Sequence, residues 1–170
     1  MRSDEFKRHR KAQEVLEQSL AKAADQILAE LGGQQGALAV ALLEQLRSHT
    51  PIAYLQSWSA GELVPLVREF FRFLDQRSGA IKVGILPARE GRGPLLLTNS
   101  LDAPFLVDSI QLALRRLNQE FQVVTHPILA VTRESGRLQR LGGLKASGER
   151  ESFIVIELED YSPEIGRAHV

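Results

Sequence analysis

The chain has 170 residues, enough for one domain with a hydrophobic core or a small domain with a helical extension. Its 21 basic and 21 acidic residues exclude a strong net charge that would attract nucleic acid or a membrane surface, and the absence of cysteine excludes disulfides and thiolate chemistry. The N-terminus lacks the apolar segment of a signal peptide, and no apolar run approaches the ~20 residues that span a bilayer. These features predict a soluble cytoplasmic protein with no nucleic-acid and no membrane partner.

Residues 1–78 are predicted to form a helical segment. Over residues 4–31, apolar side chains recur at three- and four-residue steps, which is the spacing of one helix face, and a Gly-Gly pair follows as a stop. A second helix is predicted over residues 34–47, where Leu38, Leu42, Leu43 and Leu46 form an apolar stripe. Its end is set by Pro51, because the residue before a proline avoids the helical conformation. The connector that follows is expected to dock on these helices.

A third long helix is predicted to begin at a capping box. Ser59 can accept a hydrogen bond from the amide of Glu62, whose carboxylate can reach back to the amide of Ser59. Pro65 lies inside this helix, so we expect a local bend there. The basic run at residues 7–11 could contact an acidic partner or nucleic acid, but no aromatic residues interleave with it, and a solvated helix face is the favoured interpretation.

The hydrophobic period changes near residue 80. Ile81, Val83 and Ile85 alternate with polar or small residues, which predicts a strand. Residues 87–94 form a polar loop rich in glycine and proline, and this loop lacks the Lys-Ser/Thr ending of a phosphate-binding loop. A short apolar strand is predicted next, at residues 95–97.

The chain then turns from that strand into a helix predicted to run to about residue 119. Asp102 is a suitable N-cap, and Pro104 suits the first helical turn, where its missing N–H costs little. Free backbone N–H groups at the positive end of a helix can hold a carboxylate or another anion. This turn is therefore the feature around which the second half of the chain is predicted to be organised.

Further strands are predicted after the helix. Residues 121–133 are extended, with Pro127 placing this strand at an edge or in a bulge. A hairpin turn at residues 134–137 leads to a short strand, and residues 153–158 form a last apolar strand. The pattern predicts an α+β fold: N-terminal helices, then most of a βαββαβ, ferredoxin-like antiparallel sheet covered by helix on one face, with one helix and one strand of that plan missing.

The sequence offers little for catalysis. The four histidines lie in different predicted elements, without the spacing of metal ligands, and His126 is interpreted as a hydrogen-bonded structural residue. Asp102 and Asp108 are explained as a cap and a first-turn charge, and not as an acid/base pair. The spaced glycines of a dinucleotide-binding fold are absent. No catalytic, cofactor-binding or metal-binding residue is predicted in this chain.

Three ordered blocks of sequence carry a resemblance to a known family. Residues 102–109 read DAPFLVDS, residues 123–129 read VVTHPIL, and residues 151–157 read ESFIVIE. At this spacing the blocks resemble the first ACT-like domain in the N-terminal region of the large bacterial NAD-dependent glutamate dehydrogenases. The resemblance extends over roughly residues 54–159 and is looser before them.

The resemblance implies a parent enzyme of very large subunits that oxidises glutamate to 2-oxoglutarate and ammonia with NAD. It places the catalytic domain outside this chain, so NAD is implied for the parent and no cofactor for these residues. ACT-type domains bind amino acids or pair with one another, and their ligand typically lies at the strand-to-helix turn. The regulatory ligand site implied here comprises Asn99, Ser100, Asp102, Ala103, Pro104 and Phe105. The implied partners are the remainder of the subunit, further copies of the parent and an amino-acid effector.

The domain organisation predicted on this basis has three parts. Residues 1–78 form the helical segment, residues 79–160 a truncated ACT-like domain, and residues 161–170 a non-native tail. Two alternatives to a regulatory or assembly segment of a dehydrogenase stay open. One is a free-standing ACT-like amino-acid sensor. The other is a structural module whose exposed sheet edge recruits a partner by strand pairing.

Overall fold

The computed structural model describes residues 2–159, and of these the side chains of residues 8 and 10–159. The chain divides into two compact units between Asp75 and Gln76. The helices and strands among the described residues are, in chain order, α1 (Arg2–Leu31), α2 (Gly33–His49), α3 (Ile52–Gln56), α4 (Ala60–Asp75), β1 (Ile81–Leu86), β2 (Leu95–Leu101), α5 (Leu106–Arg116), β3 (Phe121–Thr125), β4 (Ile128–Glu134), β5 (Arg137–Gly142) and β6 (Glu149–Leu158). The predicted tail at residues 161–170 lies outside the described residues.

The first unit contains the helices α1 to α4. Gly32 alone separates α1 from α2, with the positive φ of 62° that glycine tolerates, so the predicted two-residue break is one residue long. The predicted connector after Pro51 contains a short helix, α3. Between residues 2 and 159, no helix combines the length and the apolar character needed to cross a membrane. The core side chains of this unit are apolar, among them Leu20, Ile27, Leu42, Leu46, Trp58, Val67, Phe70, Phe71 and Leu74.

The predicted capping box starts α4. The Ser59 amide donates to Glu62 Oε2 at 2.8 Å, and the Glu62 amide donates to Ser59 Oγ at 3.3 Å. Both partners satisfy amides that a helix start leaves open. Pro65 lies inside α4, as predicted.

The second unit is built on an antiparallel sheet, which confirms the predicted α+β class. The strand order is β1-β2-β6-β4-β5, and β3 also pairs with β6. β6 is therefore the central strand, with β2 on one side and both β3 and β4 on the other. The single extended segment predicted for residues 121–133 is two strands, because His126 and Pro127 interrupt it. β4 and β5 form the predicted hairpin through Ser135 and Gly136, both with positive φ.

β2 is longer than the predicted strand and does not lie at an edge. It runs to Leu101 and pairs with β6 as far as the Leu101–Glu151 pair. On its other side β1 pairs with it along the whole length of β1, from Ile81–Ser100 to Leu86–Leu95. β1 therefore covers the side of β2 that faces away from β6.

The two faces of the sheet bury different side chains. On one face, Ile154 and Ile156 of β6 pack with Leu114 of α5, and Leu96 of β2 joins this cluster. The strand register places Asn99 and Glu151 on the opposite face, because successive side chains of a strand alternate. Both faces of β6 are buried, and the buried residues of its second face include two glutamates.

Candidate functional site

The turn between β2 and α5 begins later than the sequence predicts. Asp102 is still held in the β-ladder, because its amide donates to the carbonyl of Arg150 at 2.8 Å. The helix begins at Leu106, and Phe105 takes the N-cap position in a left-handed conformation with φ 64°. The predicted N-cap role of Asp102 is therefore wrong, and Pro104 precedes the helix instead of lying in its first turn.

The Asp102 side chain binds the central strand instead. Ser152 Oγ donates to Asp102 Oδ1 at 2.6 Å, and His126 Nε2 lies 3.0 Å from the same Ser152 Oγ. A hydroxyl has one proton, so when Ser152 gives it to the carboxylate, His126 Nε2–H must be the donor in the other bond. In this arrangement His126 does not act as a general base toward Ser152, because such a base would have to accept the serine proton.

Four of the six predicted ligand residues form one exposed turn. Asp102, Ala103, Pro104 and Phe105 are all exposed, and the Phe105 side chain keeps 77% of its accessible surface. Ser100 lies in β2, where its hydroxyl donates to the carbonyl of Leu101. These five residues lie at the end of β2 that leads into α5.

Asn99, the sixth predicted residue, is separated from the others by the sheet itself. It is fully buried on the opposite face, where its Nδ2 donates to Glu151 Oε2 at 3.0 Å and to the carbonyl of Ser152. An exposed ligand at the turn cannot touch a side chain that lies beneath the strand. The structure therefore does not bring Asn99 together with Asp102.

The start of α5 adds a positive field to the turn. Phe105 has no side-chain oxygen, so it cannot cap the amides of Leu106, Val107 and Asp108. The helix dipole concentrates positive charge at these amides, and the carboxylate of Asp108 in the first turn partly offsets it. The chain thus carries the Asp102 carboxylate just before these N–H donors and a second carboxylate, that of Asp108, among them. This pair of opposite charges suits a zwitterion such as a free α-amino acid.

A second charged cluster lies on the buried face, around Glu151. Arg133 binds this carboxylate in a bidentate manner, with Nε–Oε1 at 2.8 Å and Nη2–Oε2 at 2.9 Å. Arg77 Nη2 adds a contact of 3.0 Å to Oε1. Burial alone would raise the pKa of Glu151, but the hydrogen bonds from Arg133 and Asn99 and the charges of both arginines outweigh it and hold the pKa below its usual value.

The family assignment agrees with this architecture. A family model described as "Glutamate dehydrogenase, ACT1 domain" matches residues 42–169, about three quarters of the chain. The chain belongs to this family. No curated protein and no solved structure matches it. The predicted resemblance to the N-terminal ACT-like region of a glutamate dehydrogenase is thereby confirmed.

The charged cluster of this glutamate dehydrogenase ACT1 region was missed in the sequence. Two signals were available: Glu151 and Glu157 share one face of β6 with apolar residues, and Arg133 lies in a neighbouring strand. A carboxylate inside a fully buried strand needs a cationic partner, so the pattern predicts an arginine nearby. The residue that completes the cluster, Arg77, lies outside any strand and gives no such signal.

The candidate turn of the ACT1 region lies away from a cleft in the same unit. This cleft has a volume of about 810 Å³ and is lined by Ile85, Gly93, Gln122 and Leu158, among others. None of its lining residues belongs to the turn at residues 102–105. Among the described side chains, those of residues 8 and 10–159, no three histidine, aspartate or glutamate groups come together as a metal site.

Proposed function

We propose that this chain is a non-catalytic regulatory and assembly region of a large NAD-dependent glutamate dehydrogenase. The observation that carries the proposal is the match of residues 42–169 to the glutamate dehydrogenase ACT1 family. In the proposed parent enzyme, a catalytic domain outside this chain oxidises glutamate to 2-oxoglutarate and ammonia with NAD in the cytoplasm. The partners of the region are then the remainder of the subunit and other copies of the enzyme.

We further propose that the region binds an amino-acid effector at the exposed turn before α5. The Asp102 carboxylate would accept hydrogen bonds from the ammonium group of the ligand, while the first amides of α5 would donate to its carboxylate. Asp102 Oδ1 already accepts a hydrogen bond from Ser152 Oγ, which leaves Oδ2 for the ligand. Ser152 is almost fully buried and bridges to His126, so the carboxylate is held in place before any ligand arrives.

Effector binding at this point would couple three elements of the fold. Asp102 follows β2, Ser152 lies in β6, and His126 lies between β3 and β4. A ligand that binds both Asp102 and the start of α5 would therefore restrain the helix relative to the central strand. Such a restraint is a physical route from ligand binding to a change in subunit contacts, because a ligand shifts conformations only by binding one of them better.

Isothermal titration calorimetry of the pure chain tests the effector proposal. Glutamate, aspartate and other α-amino acids are titrated into the unmodified chain, Asp102→Ala and Asp108→Ala. We expect binding of at least one amino acid, a loss of about tenfold or more in affinity in Asp102→Ala, and no loss in Asp108→Ala, which removes an equal charge from the first turn of α5. Absence of binding at millimolar concentrations, or equal losses in both variants, would contradict the effector site.

The non-catalytic role has its own test. The pure chain is expected to produce no NADH from glutamate and NAD, whereas the proposed parent enzyme does. Glutamate-dependent NADH formation that copurifies with the chain through successive columns would refute this role. The result is independent of the calorimetry, because a catalytic chain could still bind an effector.

A further inference from the structure

A cavity opens in the helical unit between the first half of α1 and the junction of α3 with α4. Its volume is about 740 Å³, within the range of about 300–1,000 Å³ that holds small molecules. All its lining residues belong to the helical unit, so it is separate from the turn before α5 and from the cleft of the sheet unit. The role proposed above for the chain does not use this cavity.

The side chains that α1 presents change character along the helix. In its second half, Leu20 and Ile27 are buried in the core of the unit. Towards the N-terminus, the cavity is lined by Val15, Lys11 and Arg8, which follow at four- and three-residue steps and therefore share one face of the helix. The cavity thus has an apolar end and a cationic end.

The apolar end is formed by Leu16, Trp58 and Val15. Leu16 and Trp58 are almost fully buried, with 6% and 4% of their surface exposed, whereas Val15 keeps 57%. An apolar group placed in the cavity would remove Val15 from water, and such burial is favourable in proportion to its area. The indole of Trp58 adds a large apolar surface for the same group.

The cationic end carries charge that the cavity itself does not neutralise. Arg8 and Lys11 form no ion pair with any described side chain. Glu62 also lines the cavity, but its Oε2 accepts hydrogen bonds from the Ser59 amide at 2.8 Å and from the Ser59 hydroxyl at 2.7 Å. Two cations one helical turn apart repel each other, so an anionic group between them would be stabilised.

We propose that this cavity binds a small amphiphilic anion, an apolar chain or ring that bears one carboxylate or phosphate group. The apolar part would pack on Trp58 and Val15, and the acidic group would accept hydrogen bonds from Arg8 and Lys11. An uncharged apolar molecule would leave the two cations unmatched, and a purely polar anion would leave the apolar end in contact with water. The combination of both ends therefore selects an amphiphile.

The fluorescence of Trp58 tests the proposal in the whole chain, because Trp58 is the single tryptophan and lines the cavity. Decanoate and decyl phosphate are the amphiphilic probes, decanol is the uncharged apolar probe, and acetate and inorganic phosphate are the polar anions. We expect a saturable change in emission with at least one amphiphilic probe, about tenfold weaker binding of decanol, and no change with the polar anions. The tighter amphiphilic probe identifies the acidic group as a carboxylate or a phosphate.

Charge reversal locates the acidic group of the ligand. Lys11→Glu should weaken binding of the amphiphilic probes about fivefold or more and leave decanol binding unchanged, because it changes the charge at one end of the cavity. Lys22→Glu is the matched control, since Lys22 is exposed on the same helix and is not among the residues that line the cavity. Val15→Ser should instead weaken decanoate and decanol alike, because it removes apolar surface.

Equal affinities of Lys11→Glu and Lys22→Glu for the amphiphilic probes would overturn the proposal. So would equal binding of decanol and decanoate, which would leave the cationic end without a role. Emission that no probe changes at millimolar concentrations, the result expected if another polypeptide fills the cavity, would overturn it as well. None of these results depends on amino-acid binding in the sheet unit, so the proposed effector site stands or fails separately.

Discussion

Replacing Glu151 by glutamine should destabilise the sheet unit more than any exposed charge substitution. Glu151 is fully buried and receives donors from Arg133, Arg77 and Asn99. Glutamine has nearly the same shape, but it carries no charge and presents an NH₂ group where the carboxylate has an oxygen. The substitution therefore leaves two almost buried guanidinium groups without their counter-ion and sets donor against donor.

The magnitude follows from the burial of this cluster. The side chains of Arg77 and Arg133 retain only 10% and 9% of their accessible surface, so water compensates little for the lost carboxylate. Removing one partner of such a buried ion pair costs about 3–5 kcal/mol. With a urea m-value of about 2 kcal/mol/M, the midpoint of unfolding would fall by roughly 1.5–2.5 M.

The assay is equilibrium urea unfolding followed by far-UV circular dichroism, with hydrogen exchange of the β6 amides as a local probe. Fluorescence alone is insufficient, because the single tryptophan, Trp58, lies in the helical unit. The control is Glu14→Gln, which breaks the exposed pair with Arg10 and should cost less than about 1 kcal/mol. A decrease of less than about 1 kcal/mol in the unfolding free energy of Glu151→Gln would refute the view that this cluster stabilises the sheet.

The pH dependence gives the same account a second test. The folded-state pKa of Glu151 lies below the ordinary value of 4.5, so the carboxylate contributes stability that is present above that value. This contribution is lost as the pH falls below 4.5 and through the lower pKa of the folded state. The difference in unfolding free energy between the unmodified chain and Glu151→Gln should therefore be largest at neutral pH and shrink in acid. A difference that is constant between pH 7 and pH 3 would contradict this assignment.

Two further substitutions test local features of the fold. Ser59→Ala removes one half of the capping box with Glu62 and should lower the stability of the helical unit by about 1 kcal/mol, measured by urea unfolding; an unchanged midpoint would speak against the cap. Gly93→Ala would place a Cβ atom 1.7 Å from the carbonyl oxygen of Leu158, and we expect a loss of about 2 kcal/mol or more in the thermal unfolding of the sheet unit. Gly79→Ala, whose Cβ meets nothing closer than 3.8 Å, is the matched control, and equal effects of the two alanines would show that this close approach is unimportant.

Periodicity and stop signals were sufficient to predict most elements of the fold. The helical spacing up to Leu31, the capping box at Ser59 and the alternation at Ile81 each depend on neighbours within a few residues, and the structure confirms them. The end of β2 could not be predicted in this way. Asn99, Ser100 and Leu101 look like turn residues locally, but pairing with β6 keeps them extended.

The candidate site shows the same limit of local reasoning. Asp102 satisfies the local rules for an N-cap, yet its carboxylate binds Ser152, which lies 50 residues further along the chain. The resemblance groups Asn99 with Asp102 because it places the ligand at the strand-to-helix turn, whereas the alternation of the strand puts Asn99 on the opposite face. The order of the strands places β6 between β2 and β4, and this order decides which side chains surround Glu151. Local sequence patterns do not contain the strand order.

Amide chemical-shift mapping by NMR during a glutamate titration is the most direct test of amino-acid binding at the turn before α5. The account predicts concentration-dependent shifts at Asp102 and at the first amides of α5, from Leu106 to Asp108, with the amides of Arg133 and Glu151 unchanged because their cluster is structural. Shifts that centre on Glu151 and Asn99, or no shifts at the turn for glutamate or any other α-amino acid, would contradict it.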